Sequence, residues 1–157
     1  VQKLEIGDKV FTRENGYQPI RYISKRVHSS DDVIEDERLL PYVVLHNGDE
    51  IFVSKHHRIL ICDDNDNEFL ISANHYAKAF PTLCKLDYVW GSNIEYINIF
   101  FDNHEIIMAD SIWVESGYLG GKYANNIVAP DFGIIDELKS KHTPARPFIN
   151  HKFEIID

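Results

Sequence analysis

What most constrains this chain is its punctuation. Short apolar or β-branched runs recur along it, separated by turn residues at close to the about 8–12-residue spacing of all-β folds. The clearest case is Tyr42–His46 and Glu50–Ser54 around Asn47-Gly48, and Asn-Gly between two such runs is the strongest short hairpin signal. Lys9–Arg13 closes at Asn15-Gly16, and Gln18–Arg26 follows as one strand with Ile20, Tyr22 and Ser24 on a common face. Ser29–Glu37 is polar and acidic and reads as a surface loop. Arg58–Cys62 and Phe69–Ser72 read as strands joined by the polar turn Asp63–Glu68. Ala73–Phe80 has room for one or two helical turns before Pro81. Leu86–Trp90 and Ile94–Phe101 read as a pair across Gly91-Ser92-Asn93, and Glu105–Ala109 and Ile112–Glu115 as the last of the strand series. Beyond Ser116 the glycines Gly117, Gly120 and Gly121 mark irregular backbone, Phe132–Lys139 fits a short helix, and Phe148–Asp157 fits a final helix or strand.

Composition agrees with one folded, β-rich domain. The chain has 157 residues, 44% of them hydrophobic, with nine Phe, eight Tyr, two Trp and one Met. Aromatic and β-branched residues favour strands. A net charge of −9 with scattered Lys and Arg argues against nucleic acid as a partner, because phosphate backbones require clustered cations. No apolar run reaches the about 20 residues of a membrane-spanning helix. Cys62 and Cys84 do not have zinc-site spacing. Cys62 ends an apolar run and reads as a buried free thiol, with a Cys62–Cys84 disulfide as the alternative.

Three segments carry candidate chemistry. Asp63-x-Asn65-x-Asn67 opens like a calcium loop, but Glu68 stands where such a loop requires Gly and Asn74 where it requires a bidentate Glu. It therefore reads as a hairpin turn. Val53-Ser54-Lys55-His56-His57-Arg58 has two readings. On a strand the two imidazoles point to opposite faces; on a tight bend, Ser54 and His57 converge on one substrate amide. Phe101-Asp102-Asn103-His104-Glu105 is a polar break between apolar runs, which is either a turn or a place where Asp102 and His104 move protons. Glu115-Ser116 does not fit a Gly-x-Ser-x-Gly elbow, so Ser116 reads as structural.

The order of these segments resembles the Hint domains, the hedgehog/intein-type autoprocessing modules, and among them a group found in bacterial secreted or surface proteins. The resemblance rests on Leu4-x-x-Gly7-Asp8-x-Val10-x-Thr12-x-x-Asn15-Gly16-x-Gln18-Pro19-Ile20-Arg21-Tyr22-Ile23, then Val53-Ser54-x-x-His57-Arg58-Ile59-Leu60. It continues with Ile94-x-Tyr96-x-x-x-Phe100-x-Asp102-x-His104-Glu105-x-Ile107-x-Ala109-Asp110 and closes at Glu115-Ser116 and the glycines. It covers residues 1–122, with 123–157 read as a C-terminal extension packed on that core within a single domain. It implies an all-β horseshoe with one or two short helices, and self-cleavage by an N-to-S(O) acyl shift on the chain's own upstream polypeptide, without cofactor or metal. His57 would donate to the scissile nitrogen and Ser54, in place of the commoner Thr, would position it. Asp102 or His104 would serve as acid or base.

Against that pattern, the Cys-led opening strand is absent and Val1 offers no nucleophile. Asn125-Asn126 precedes Ile127 and Asn150 precedes His151, so no splice junction is visible. The expectation is a chain inert in self-cleavage as it stands, with an exposed strand edge suited to a homodimer. Two other readings stand beside it. One is a non-catalytic β-rich interaction or structural module; the other is a metal-dependent hydrolase using His56, His57 and His104.

Overall fold

A computed structural model describes residues 1–89, 91–120 and 132–156. Trp90, Gly121, Lys122, the Asn125-Asn126 pair and Asp157 lie outside the described residues. The first hairpin joins β1 (Lys9–Thr12) to β2 (Gly16–Pro19). Its turn is tied by Thr12, whose hydroxyl accepts from Asn15 N (3.1 Å) and donates to the Gly16 carbonyl (2.8 Å).

The long strand expected over Gln18–Arg26 is two strands. The chain leaves β2 at Pro19 and enters β3 (Tyr22–His28) after Ile20 and Arg21. These two residues bond in opposite directions, Ile20 N to the Asp8 carbonyl and Arg21 N to the Phe100 carbonyl, both at 2.8 Å. The chain thus crosses between sheets here, with Ile20 buried at the crossing.

The acidic segment after β3 is not a loop but the helix α1 (Ser30–Glu35). Ser29 accepts from Asp32 N while the Asp32 carboxylate accepts from Ser29 N. This reciprocal capping box satisfies two otherwise orphaned helix N–H groups. Val33 then points inward and is buried with Leu40 and Ile94.

The Asn47-Gly48 hairpin stands as expected. β4 (Tyr42–His46) and β5 (Asp49–Val53) pair in register His46↔Asp49. Asn47 and Gly48 both adopt positive φ, 50° and 84°, the demand of a type I′ turn. β6 (Arg58–Cys62) and β7 (Glu68–Ser72) follow, joined by a turn organised on Asp63. Its carboxylate accepts from Asn65 N, Asn67 N and the Asn67 amide. The helix α2 (Ala73–Ala79) ends before Pro81. β8 (Cys84–Leu86) and β9 (Ile94–Phe100) do not form the expected hairpin. β8 pairs with β4, and β9 pairs with β3 over seven residue pairs, from Tyr22↔Phe100 to His28↔Ile94. The longer antiparallel match outcompetes the local turn because each added pair contributes backbone bonds and cross-strand contacts.

β10 (Ile106–Ala109) and β11 (Ile112–Glu115) form the last tight hairpin, with α3 (Phe132–Lys139), β12 (Phe148–Ile149) and β13 (Ile155–Ile156) beyond it. Among the described residues the sheets order as β13-β12-β7-β6-β11-β10-β1-β2, as the ribbon β3-β9, and as β5-β4-β8. Ile135 and Leu138 of α3 are buried against Tyr22, Phe100 and Leu119. Cys62 is exposed rather than buried, because it ends β6 at the polar turn, and it is not bonded to Cys84. Burial pushes the Cys84 thiol up to about 12, so Cys84 behaves as a small apolar core residue.

One backbone approach is tight enough to forbid a side chain. A methyl on Gly117 would stand 2.2 Å from Phe100 Cε1, and that ring is itself 2% exposed. Gly117→Ala is expected to lower unfolding free energy by about 1–3 kcal/mol through overpacking, read as a lower urea midpoint at unchanged slope. An unchanged midpoint would refute the close approach.

Candidate active site

The Ser54–His57 segment is a bend between β5 and β6, not a strand, so the opposite-face argument for adjacent histidines does not apply. His57 N donates back to the Ser54 carbonyl at 3.0 Å. Ala73 N donates to the His57 carbonyl (2.8 Å) and Asn74 N to the Lys55 carbonyl (3.2 Å), fastening the bend to the start of α2. Ser54 and His57 both line a groove of about 270 Å³. Its walls include Asn98 on β9, Glu115, Ser116 and Gly117 after β11, and Val1 and Gln2. The two residues and the first residues of the chain therefore share one concavity.

Behind the groove lies a polar centre that sequence reading did not assign. Glu115 ends β11, and pairing of β11 with β6 at Val114↔Ile59 brings it beside Arg58. Arg58 donates twice to this carboxylate, from its backbone N at 2.9 Å and from its guanidinium at 3.0 Å. The guanidinium also lies 3.7 Å from the centre of the Phe148 ring, a cation–π contact. His104, its side chain fully buried, stands 3.2 Å through Nε2 from Glu115 Oε2, off the line of a good hydrogen bond. Its Nδ1 accepts from Ala145 N at 3.1 Å, which leaves the proton on Nε2, facing the carboxylate.

These contacts set the ionisation of the site. Burial by itself would raise the Glu115 pKa, but the close His104 Nε2–H and the Arg58 charge outweigh it and hold the carboxyl below its usual range. His57 is half-buried. Its ring is nonetheless desolvated enough to lower its pKa below 6.5, with Glu115 opposing the shift and Arg58 and His104 adding to it. At neutral pH His57 is therefore a neutral imidazole beside an ionised Glu115, a pairing suited to taking up and releasing a proton.

The four residues singled out from sequence separate in space. Ser54 and His57 line the same groove. His104 reaches it only through Glu115. Asp102 stands apart, 41% exposed, accepting from Arg21 at 2.5 Å with Lys141 at 3.8 Å. Ser116 is structural: its hydroxyl accepts from Glu105 N (2.9 Å), and its own N donates to the Glu105 carbonyl (2.8 Å). Among the described residues no group of three or more His, Cys, Asp or Glu is placed to hold a metal, so His56, His57 and His104 do not assemble as a ligand set. The signal for the Glu115–Arg58 pair was present in sequence, as opposite charges continuing two apolar strands, but their juxtaposition depends on which strands pair.

A second histidine fastens the C-terminal part to this region. His142 Nδ1 accepts from Leu119 N (3.3 Å), and Nε2 lies 3.0 Å from the Phe101 carbonyl, to which it donates. Desolvation lowers its pKa despite the Phe101 bond. A histidine whose folded pKa lies below its unfolded value contributes stability that is full above about pH 6.5 and lost as pH falls. His57 acts with the same sign, and Glu115 does so at lower pH. Unfolding free energy is thus expected to decline between about pH 7.5 and 5, with a shallower decline in His142→Gln. A flat profile in the parent chain would contradict the neutral state of these rings.

Short strands gathered into three sheets, with three short helices among the described residues, define an all-β, Hint-type fold. The family model described as "Hint domain" matches residues 1–121, and the chain belongs to that family. No curated protein and no solved structure matches it. No helix among the described residues is long and apolar enough to cross a membrane.

Proposed function

We propose that this domain promotes cleavage of a peptide bond in its own upstream polypeptide by an N-to-S(O) acyl shift. The observation that carries the reading is the groove shared by Ser54, His57, Val1 and Gln2. A peptide seated in this groove meets the hydroxyl and the imidazole together.

The chemistry follows from the ionisation of His57. A thiol or hydroxyl on the upstream segment attacks the carbonyl, and neutral His57 takes its proton. The imidazole then returns that proton to the amide nitrogen as the C–N bond breaks, leaving an ester or thioester and a free amine. Protons balance without an external acid. Ser54 orients the amide, and Glu115 stabilises the imidazolium while it lasts. His104 acts on Glu115 and is a positioning residue. The nucleophile comes from outside the described groove, since Cys62 and Cys84 are not among its lining residues.

The test is the chain extended upstream to carry a Cys or Ser, followed by mass, with and without dithiothreitol. Cleavage that requires that nucleophile supports the reading. An intact precursor favours the non-catalytic module, for which the cross-strand pair Phe11–Tyr17, 48% and 68% exposed, offers an apolar surface.

A further inference from the structure

The groove of about 270 Å³ that holds Ser54 and His57 adjoins two further concavities, of about 390 and 150 Å³. Ser54 and Asn98 line all three. Strand pairing puts Asn98 at this junction. It lies inside the seven-pair match of β9 with β3, opposite Ser24. Tyr96, Asn98 and Phe100 alternate onto one face of β9, and both neighbours of Asn98 on that face are pinned. The Tyr96 hydroxyl donates to the Leu39 carbonyl at 2.7 Å, and the Phe100 ring is buried against Gly117. Asn98 is therefore held in place by its strand and not by its own side chain.

The half-buried Asn98 amide is not used up in holding the fold: among the described residues it makes no side-chain hydrogen bond. Several backbone donors that border Ser54 are, by contrast, committed. His57 N donates to the Ser54 carbonyl, Ser116 N to the Glu105 carbonyl and Gly117 N to the Ile99 carbonyl, at 3.0, 2.8 and 2.8 Å. Arg58 N donates to Glu115 at 2.9 Å. An acyl shift requires a donor at the scissile carbonyl oxygen, because attack drives the C=O electron pair onto that oxygen. His57 does not fill this role, since the proton it takes from the nucleophile goes to the amide nitrogen. The ionised Glu115 on the same groove makes an oxyanion without a donor costlier still.

We propose that Asn98 is a catalytic residue of the acyl shift, its Nδ2–H donating to the scissile carbonyl oxygen. The inference rests on the acyl-shift reading and supplies the oxyanion donor that reading needs. The step balances within the groove. The bond from sulfur or oxygen to the carbonyl carbon forms as the nucleophile's proton passes to His57. The C=O pair moves to the oxygen, where Asn98 binds it. When that pair returns, the C–N bond breaks and the nitrogen leaves with the proton from His57. Asn98 gives up no proton and ends unchanged. A neutral amide does not titrate near neutral pH, so its contribution adds no inflection to the rate.

The test uses the upstream-extended, nucleophile-bearing chain, followed by mass. Asn98→Ala should slow cleavage by about a hundred- to a thousandfold, with the inflection of the pH–rate profile kept where the parent has it. Its urea midpoint should match the parent's, because the amide makes no bond that holds the fold; a structural role would lower it. Asn98→Asp keeps the shape but, once ionised, presents acceptors alone, and should be at least as slow as Asn98→Ala at neutral pH. If Asn98→Ala fails to fold, the isosteric Asp variant decides by itself. A parent that cleaves while Asn98→Ala keeps its rate removes Asn98 from the step, as does an Asp variant as fast as the parent. An inflection that moves in Asn98→Ala would make Asn98 a positioning residue for His57 and overturn the donor role. A precursor that stays intact with Asn98 in place overturns the acyl-shift reading, and this inference with it.

Discussion

His57→Ala in a nucleophile-bearing upstream extension should slow self-cleavage by about two to four orders of magnitude, the usual contribution of a positioned acid–base group. The size follows from the site. His57 is the titratable side chain of the Ser54–His57 groove that is neutral at neutral pH with an ionised carboxylate beside it. Without it, neither uptake of the nucleophile's proton nor protonation of the amide nitrogen has a carrier. The parent rate should rise with pH through a value below 6.5, since the deprotonated ring is the competent form, and then level off. That profile separates a proton carrier from a residue that only shapes the bend. His46→Ala, on the exposed hairpin turn, should leave the rate as it is. A His57→Ala variant that cleaves at the parent's rate while folded would remove His57 from the mechanism.

Glu115→Ala should destabilise the fold by about 3–5 kcal/mol, because it strands a buried charge. The Arg58 side chain is 17% exposed and directs both backbone and guanidinium donors at this carboxylate. Removing it also strips the acceptor opposite His104 Nε2. Glu115→Gln retains an oxygen acceptor and should cost less, which distinguishes lost charge from lost shape. Urea unfolding with and without the substitution measures both. A loss below about 1 kcal/mol would class the pair with surface ion pairs. The Gln variant should also lower the His57 pKa further, since Glu115 is the neighbour that favours the charged ring.

Much of the fold was legible because its signals are local. Asn47-Gly48 dictates a two-residue turn, and therefore the register of β4 on β5. Pro81 limits α2, and Asp63 with Asn67 makes a turn whatever surrounds it. The misreadings have specific causes. The Ser29–Asp32 capping box was overlooked in a segment judged by its polarity. Ile20-Arg21 looked continuous with its neighbours because apolar alternation persists across a change of sheet. The β8 and β9 strands looked like a hairpin because proximity in sequence does not weigh a seven-pair partner, β3, far earlier in the chain.

By itself the sequence determined the β-rich class, most turns, and the Ser54-x-x-His57 spacing that a tight bend places along one groove. Those properties depend on backbone preferences and on residues within a few positions of each other. Only the tertiary structure decided that Glu115 meets Arg58 and His104, that Asp102 belongs with Arg21 instead, and that Asn98 lines the groove of Ser54 and His57. Each of these rests on which strands pair and in what register, and pairing is set by the competition of all strands for partners.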